Sequence, residues 1–261
     1  LLRIIFIGDV VGTAGIKMIQ RELPRLRQEL QVDFCVANGE NAAGGLGITG
    51  SLAQALYKAG IDCITLGNHT WSKWEINSWI DTDKSMLRPG NGGKNWSGQS
   101  CAVFDLPQGK IMVTQILGQV FMESCESPFD YIDRELTVWK QKFAPNITLV
   151  DFHAEATAEK QTMGYFLDGR VTAVLGTHTH VQTADEHILT RGTAYITDVG
   201  MTGPGNGVIG MRQSTAMRRF VDHLPARYEL ADGKTVMQAV FIEADPSNGK
   251  ASKIERIFLR D

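Results

Sequence analysis

The sequence predicts an α/β protein built on a largely parallel sheet, and three observations carry that prediction. Five apolar, β-branched runs of strand length recur along the first two-thirds of the chain, helical stretches follow several of them, and the last third is rich in further strands. The five runs are RIIFIG (3–8), VDFCVAN (32–38), IDCITLG (61–67), ITLVDF (147–152) and VTAVLGT (171–177). The helical stretches are TAGIKMIQRELPRLRQEL, SLAQALYKAG and AEATAEKQTMGYFLDG. Strands that alternate with helices pair in parallel, because each crossover returns the chain to the same sheet edge. Pro24 has no N–H to donate, so it is expected to kink or break the first helix.

Two regions depart from the alternation. CAVFDL, PQGK and IMVTQILG read as a hairpin, followed by the helix FDYIDRELTVWKQKF. Beyond residue 186 the strands HILT, TAYITD, RYEL, TVMQAVFIEA and ASKIERIFLR are interrupted by one helix near RQSTAMRRFVDHL. A second sheet packed on the first would accommodate them. No repeat, low-complexity tract or linker divides the chain, so a single domain over residues 1–261 is expected.

Composition narrows the function. Hydrophobic residues make up 43% and charged residues 21%, enough apolar material to bury a core. The net charge is −3 and the Lys and Arg residues are scattered, which argues against duplex nucleic acid as a partner. Cys35, Cys63, Cys101 and Cys125 show no CxxC spacing and are expected to be reduced, buried thiols. No apolar stretch approaches the roughly 20 residues that cross a bilayer. The opening LLRIIFIG lacks the basic region and cleavage site of a signal peptide, so a cytoplasmic location without membrane contact is expected.

The chemistry stands at the strand ends. Asp9 follows the first run, Glu40 and Asn41 the second, Asn68 and His69 the third, His153 the fourth, and His178 with His180 the fifth. The carboxyl ends of parallel strands share one edge, so residues far apart in sequence converge there. Two divalent ions roughly 3.5–4 Å apart need a bridging carboxylate, imidazoles and carbonyl oxygens to fill their shells, and open positions for water and substrate. Glu40 suits the bridge. No thiol joins the set, which favours catalytic Mn, Fe or Zn over a structural zinc cage.

Taken singly, each residue has a plainer use. Asp9 could cap the next helix, Asn41 and Asn68 could form turns, and a lone histidine is most often structural. Those plain uses would have to recur independently at five strand ends. His187, His223 and the tryptophans Trp71, Trp74, Trp79, Trp96 and Trp139 are read as structural. GDVVGTAG lacks the GxGxxG spacing and no GK[ST] follows a glycine loop, so neither a dinucleotide fold nor a P-loop is supported.

The blocks GDVVG, GENAAGG, GNHTW, DFHAEAT and GTHTHVQTAD resemble the YmdB-type calcineurin-like metallophosphoesterases over essentially the whole chain. These are bacterial phosphodiesterases of 2′,3′-cyclic and in some members 3′,5′-cyclic nucleotides. The resemblance implies a four-layer α-β-β-α sandwich. It implies one ion on Asp9, Glu40, Asn41 and His180, a second on Glu40, Asn68, His153 and His178, and His69 as catalytic acid. Attack on phosphorus by a metal-activated hydroxide would follow, on a small phosphodiester or cyclic nucleotide, and a homo-oligomer is left open. Most of the superfamily has Asp-x-His after the first strand, but Val11 stands here. Asn41 would replace that histidine and leave the first ion site richer in oxygen and weaker.

A second departure lies in the loop Gly205-Asn206-Gly207, where Asn206 stands about where relatives are acidic. If the loop shapes the pocket, substrate preference shifts. Two rivals stay open: a metal- and nucleotide-sensing regulator with slow turnover, and a metal hydrolase for an ester or amide.

Overall fold

The computed structural model describes residues 1–261. Its first half runs β1 (Leu2–Ile7), β2 (Asp9–Val10), α1 (Gly12–Glu29), β3 (Phe34–Asn38), α2 (Gly50–Lys58), β4 (Cys63–Thr65), α3 (Ile76–Trp79), β5 (Met86–Leu87), β6 (Cys101–Leu106) and β7 (Gly109–Leu117). The second half runs α4 (Pro128–Phe143), β8 (Ile147–His153), α5 (Thr157–Leu167), β9 (Ala173–Thr177), β10 (His187–Ile188), β11 (Ala194–Ile196), β12 (Met201–Pro204), α6 (Gln213–Phe220), β13 (Thr235–Asp245) and β14 (Lys250–Arg260).

Two sheets result. One has the order β2-β12-β13-β1-β3-β4-β5 with β14 also on β13, and the other β10-β11-β9-β8-β7-β6. Side chains alternate across each strand, so each sheet can be covered on both faces. In β1, Leu2, Ile4 and Phe6 face the other sheet, while Ile5 and Ile7 pack with residues of α1 and α2. In β8, Ile147 and Leu149 face inward, while Val150 and Phe152 pack under α4 and α5. Three apolar layers between four structural layers make the α-β-β-α sandwich.

The sheets are divided differently from the sequence expectation. The first three runs belong to one sheet and the last two to the other, with parallel pairs β1-β3-β4-β5 and β7-β8-β9-β11. The C-terminal strands do not form the second sheet by themselves. β10 and β11 extend one sheet, whereas β12, β13 and β14 join the other, where β13 lies antiparallel to β1 with Ile242 opposite Ile4.

RYEL is not a strand: its one pairing is an isolated bridge between Leu230 and Met211. Helix α1 runs unbroken through Pro24. Pro24 and Gln20 are both exposed, so the Gln20 carbonyl freed by the missing N–H faces water, while Leu23 and Leu26 are buried against the sheet. All four cysteines are unpaired, but only Cys35 and Cys63 are buried; Cys101 and Cys125 are partly exposed. No helix is long and apolar enough to cross a membrane.

Candidate metal centre

The carboxyl ends of β3, β4, β8 and β9 bring the strand-end residues to one place. His153 closes β8 and is fully buried. Its Nε2 lies 2.9 Å from Asn68 Oδ1, 3.1 Å from Glu40 Oε1 and 3.1 Å from His178 Nδ1. The ligating atoms of Glu40, His153 and His178 all fall within 4.8 Å of one another, close enough to share an ion. Gly67 makes room for this cluster, since a Cβ there would overlap Glu40 Oε2 and the His153 ring.

Asp9, Asn41 and His180 stand on the other side of Glu40. The Asn41 amide nitrogen is 3.3 Å from Glu40 Oε1 and 3.0 Å from His180 Nε2. Asp9 Oδ2 accepts a hydrogen bond from the His178 backbone at 3.1 Å. Its Oδ1 is buried without a hydrogen-bond partner, 3.8 Å from His180 Nε2. A buried carboxylate oxygen left unsatisfied is costly, and a bound cation would relieve it. Asp9 is not a helix cap: α1 is capped at Val11 with no side-chain bond.

His69 lies beside the cluster. Its backbone N–H donates to Glu40 Oε2 at 2.9 Å, and its partly exposed ring has Nε2 3.5 Å from Asn68 Nδ2.

Local backbone geometry aims the last two histidines. His178 and His180 adopt φ of 102° and 64°, the left-handed region that is rare outside glycine. Asp198 holds the turn between them by accepting from Thr179 N–H at 3.1 Å and Thr179 Oγ1 at 2.8 Å. Lys160, fully buried, in turn donates to Asp198 Oδ2 at 2.7 Å and to the Thr177 carbonyl at 2.8 Å. His180 Nδ1 lies 3.0 Å from the Ile209 carbonyl and can only donate to it, which leaves Nε2 free. His178 Nε2 is 3.1 Å from Glu155 Oε2, which leaves Nδ1 facing His153.

Burial and charge oppose one another here. Burial alone would raise the Glu40 carboxyl, but the charge and hydrogen bond of His153, helped by His69, hold it at about 2. Burial would lower His153, yet Glu40 raises it to about 9. Burial, reinforced by the His153 charge, pushes His178 down to about 3. Burial also raises the Asp9 carboxyl above its ordinary range. The charge of Glu40 thus favours the protonated form of His153, and an ion at Nε2 would compete with that proton.

The family model of the YmdB-like proteins matches residues 5–257. The chain belongs to the YmdB-like family. It is 45% identical over 260 residues to the 2′,3′-cyclic-nucleotide 2′-phosphodiesterase of Bacillus subtilis strain 168, with 100% of this chain and 98% of that relative covered. A Mycoplasma pneumoniae protein whose crystal structure is described as a novel phosphatase is 34% identical, with a TM-score of 0.93 over 99% of this chain and 93% of that one. The NAD nucleotidase of Haemophilus influenzae shares the fold at 12% identity and a TM-score of 0.61, over 98% of this chain and 55% of its own. The two-sheet architecture of this YmdB-like chain is thus shared with both solved structures.

Several residues around the cluster escape sequence reading. Asn38, Asp151, Glu155, Lys160, Thr177 and Asp198 all contact it or its supports. Asp151 and Asn38 are polar residues inside apolar runs, and that mismatch is the signal that could have found them. Ile209, two residues beyond the Gly205-Asn206-Gly207 loop, contacts His180, whereas Asn206 is exposed beside Gly233. His187 stacks edge-on against Tyr195 and is peripheral. Among the tryptophans, Trp71 packs on Trp96, Trp79 bonds Asp83 and Trp139 packs on Tyr131, but Trp74 is 78% exposed and supports no core.

Proposed function

We propose that this YmdB-like protein is a phosphoric ester hydrolase, specifically a two-metal phosphodiesterase of cyclic nucleotides that prefers 2′,3′-cyclic substrates. The observation that carries the reading is the convergence of Glu40, Asn68, His153 and His178 beside a buried, unpartnered Asp9 oxygen. Glu40, Asn68, His153 and His178 would hold one ion, and Asp9, Glu40, Asn41 and His180 the other, with Mn, Fe or Zn suited to this nitrogen and oxygen set. Such ions neutralise phosphoryl charge and supply a hydroxide nucleophile at neutral pH.

The protein's own residues do the rest. Glu40 would supply negative charge to both groups of ligands: its Oε1 lies 3.1 Å from His153 Nε2 and 3.3 Å from the Asn41 amide nitrogen. His69, tethered through its N–H to Glu40, stands at the rim and protonates the departing ribose oxygen. The name of the Bacillus subtilis relative supports the choice of substrate.

The test is a screen of metal-loaded protein against cyclic nucleotides, a phosphomonoester, a bis-aryl phosphodiester and a carboxyl ester. Turnover of 2′,3′-cyclic nucleotides above the others is expected. A preference for monoesters, for the carboxyl ester, or no cyclic-nucleotide turnover with Mn, Fe or Zn would overturn the reading.

A further inference from the structure

Behind His153, on the side away from the candidate ions, runs a short chain of buried polar groups. His153 Nδ1 lies 2.8 Å from Thr177 Oγ1, and Thr177 Oγ1 lies 2.6 Å from Asp151 Oδ1. Asp151 Oδ2 accepts from Asn38 Nδ2 at 3.1 Å, and that amide also donates to the Leu66 carbonyl at 2.8 Å. His153, Thr177, Asp151 and Asn38 are all completely buried. None of the four is exposed to bulk solvent.

Counting hydrogens fixes their direction. Thr177 has one hydroxyl hydrogen, and Asp151 accepts it. The Thr177 oxygen can then only accept from His153, so Nδ1 carries a hydrogen. Asn38 Nδ2 is 3.5 Å from the same nitrogen but commits its two hydrogens to Leu66 and Asp151. With Nδ1 protonated, the lone pair available to an ion is on Nε2, the atom that faces Glu40, Asn68 and His178.

We infer that Asp151 and Thr177 are positioning residues for the centre, holding the His153 ring with Nε2 toward the ion through a buried carboxylate–hydroxyl–imidazole chain. The inference rests on the two-metal reading above. Partners behind a ligating histidine set its tautomer and raise its basicity, and losing one typically weakens metal binding by about 10–100-fold. The strand geometry fits the task. Asp151 and His153 alternate on one face of β8, and Thr177 is in register beside His153 on β9, so the backbone itself spaces the three groups.

The experiment is Mn²⁺ titration against a competing chelator on wild type, Thr177→Val, Thr177→Ser, Asp151→Asn and the Val/Asn double variant. Wild type should bind two ions. Thr177→Val and Asp151→Asn should each weaken one ion by about 10–100-fold and leave the other unchanged. The double variant should be no weaker than the worse single one, because both changes cut the same chain. Thr177→Ser should recover wild-type affinity.

Asp151→Asn places an amide against the Asn38 amide and could fail to fold; the Val and Ser variants then carry the test alone. Unchanged affinity in Thr177→Val, equal weakening of both ions, or additive losses would overturn the inference while the two-metal reading stood. Wild-type protein that binds no Mn²⁺ would overturn both.

Discussion

Around His153 Nε2, an amide oxygen, a carboxylate oxygen and an imidazole nitrogen stand at 2.9, 3.1 and 3.1 Å; around His180 Nε2 the nearest groups are an amide nitrogen at 3.0 Å and a carboxylate oxygen at 3.8 Å. The first group gathers on His153, which closes β8 and is backed by buried partners. In the second, His180 is oriented by a single carbonyl from Ile209. One half gathers the ligating atoms of Glu40, His153 and His178 within 4.8 Å of one another, whereas the other holds a buried Asp9 oxygen with no hydrogen-bond partner. Pre-organised ligands give up less freedom on binding, so the His153 half should hold its ion more tightly.

Changing the residue common to both halves should have the largest effect. Glu40→Gln removes the negative charge that two ions would share on the proposed reading, and should take turnover to background with loss of metal, measured by metal analysis and cyclic-nucleotide hydrolysis. Retention of most activity and metal would mean that the halves do not share a bridge.

His69→Ala should leave both halves filled and lower cyclic-nucleotide turnover by on the order of 10²–10⁴. An activated aryl phosphodiester, whose leaving group needs no proton, should be largely spared. Equal loss on both substrates would argue against leaving-group protonation, and loss of metal would make His69 part of a ligand shell.

A smaller effect measures the asymmetry itself. Chelator titration should remove the ions in two steps, with the Asp9–Asn41–His180 ion leaving first, and His180→Ala should erase the early step alone. A single step for both ions would put the halves on equal terms.

The smallest effect concerns pH. His153 is raised from 6.5 to about 9 in the folded, metal-free protein, so its contribution to stability is complete below 6.5 and is lost as pH rises through about 9. Glu40 is lowered from 4.5 to about 2, so its contribution is present above 4.5 and is lost as pH falls toward 2. The melting temperature of metal-free protein should therefore drop by a few degrees between pH 7 and about 9.5, and His153→Ala should flatten that drop. Mn²⁺ affinity should move the opposite way, rising with pH as the Nε2 proton becomes easier to displace. Slopes of the same sign would contradict the placement of the proton on His153.

The strand-end residues are legible in the sequence because each breaks an apolar run, and local contrast survives without knowledge of the fold. Pairing does not. TVMQAVFIEA reads plainly as a strand, but nothing within it says that its partner is β1 at the other end of the chain. β2 and β5, two residues each, exist because neighbours hydrogen-bond to them and not because of propensity. Thr177 is hidden for a different reason: it closes a run taken as a strand, where threonine is ordinary composition until its partner Asp151 on the next strand is seen.

The pairing of β1 with β13 has a consequence for how the protein is made. Leu2–Ile7 leaves the ribosome long before its antiparallel neighbour, which begins at Thr235. At about 5–20 residues per second, that neighbour arrives roughly 10–50 s later. Throughout that interval β1 can pair with β3, but its other edge stays open, an apolar template for any extended chain nearby. A nascent chain stalled before Thr235 would carry the strand-end residues and still lack the strand that closes its sheet, so interrupted synthesis should yield aggregation and not a trimmed, working enzyme.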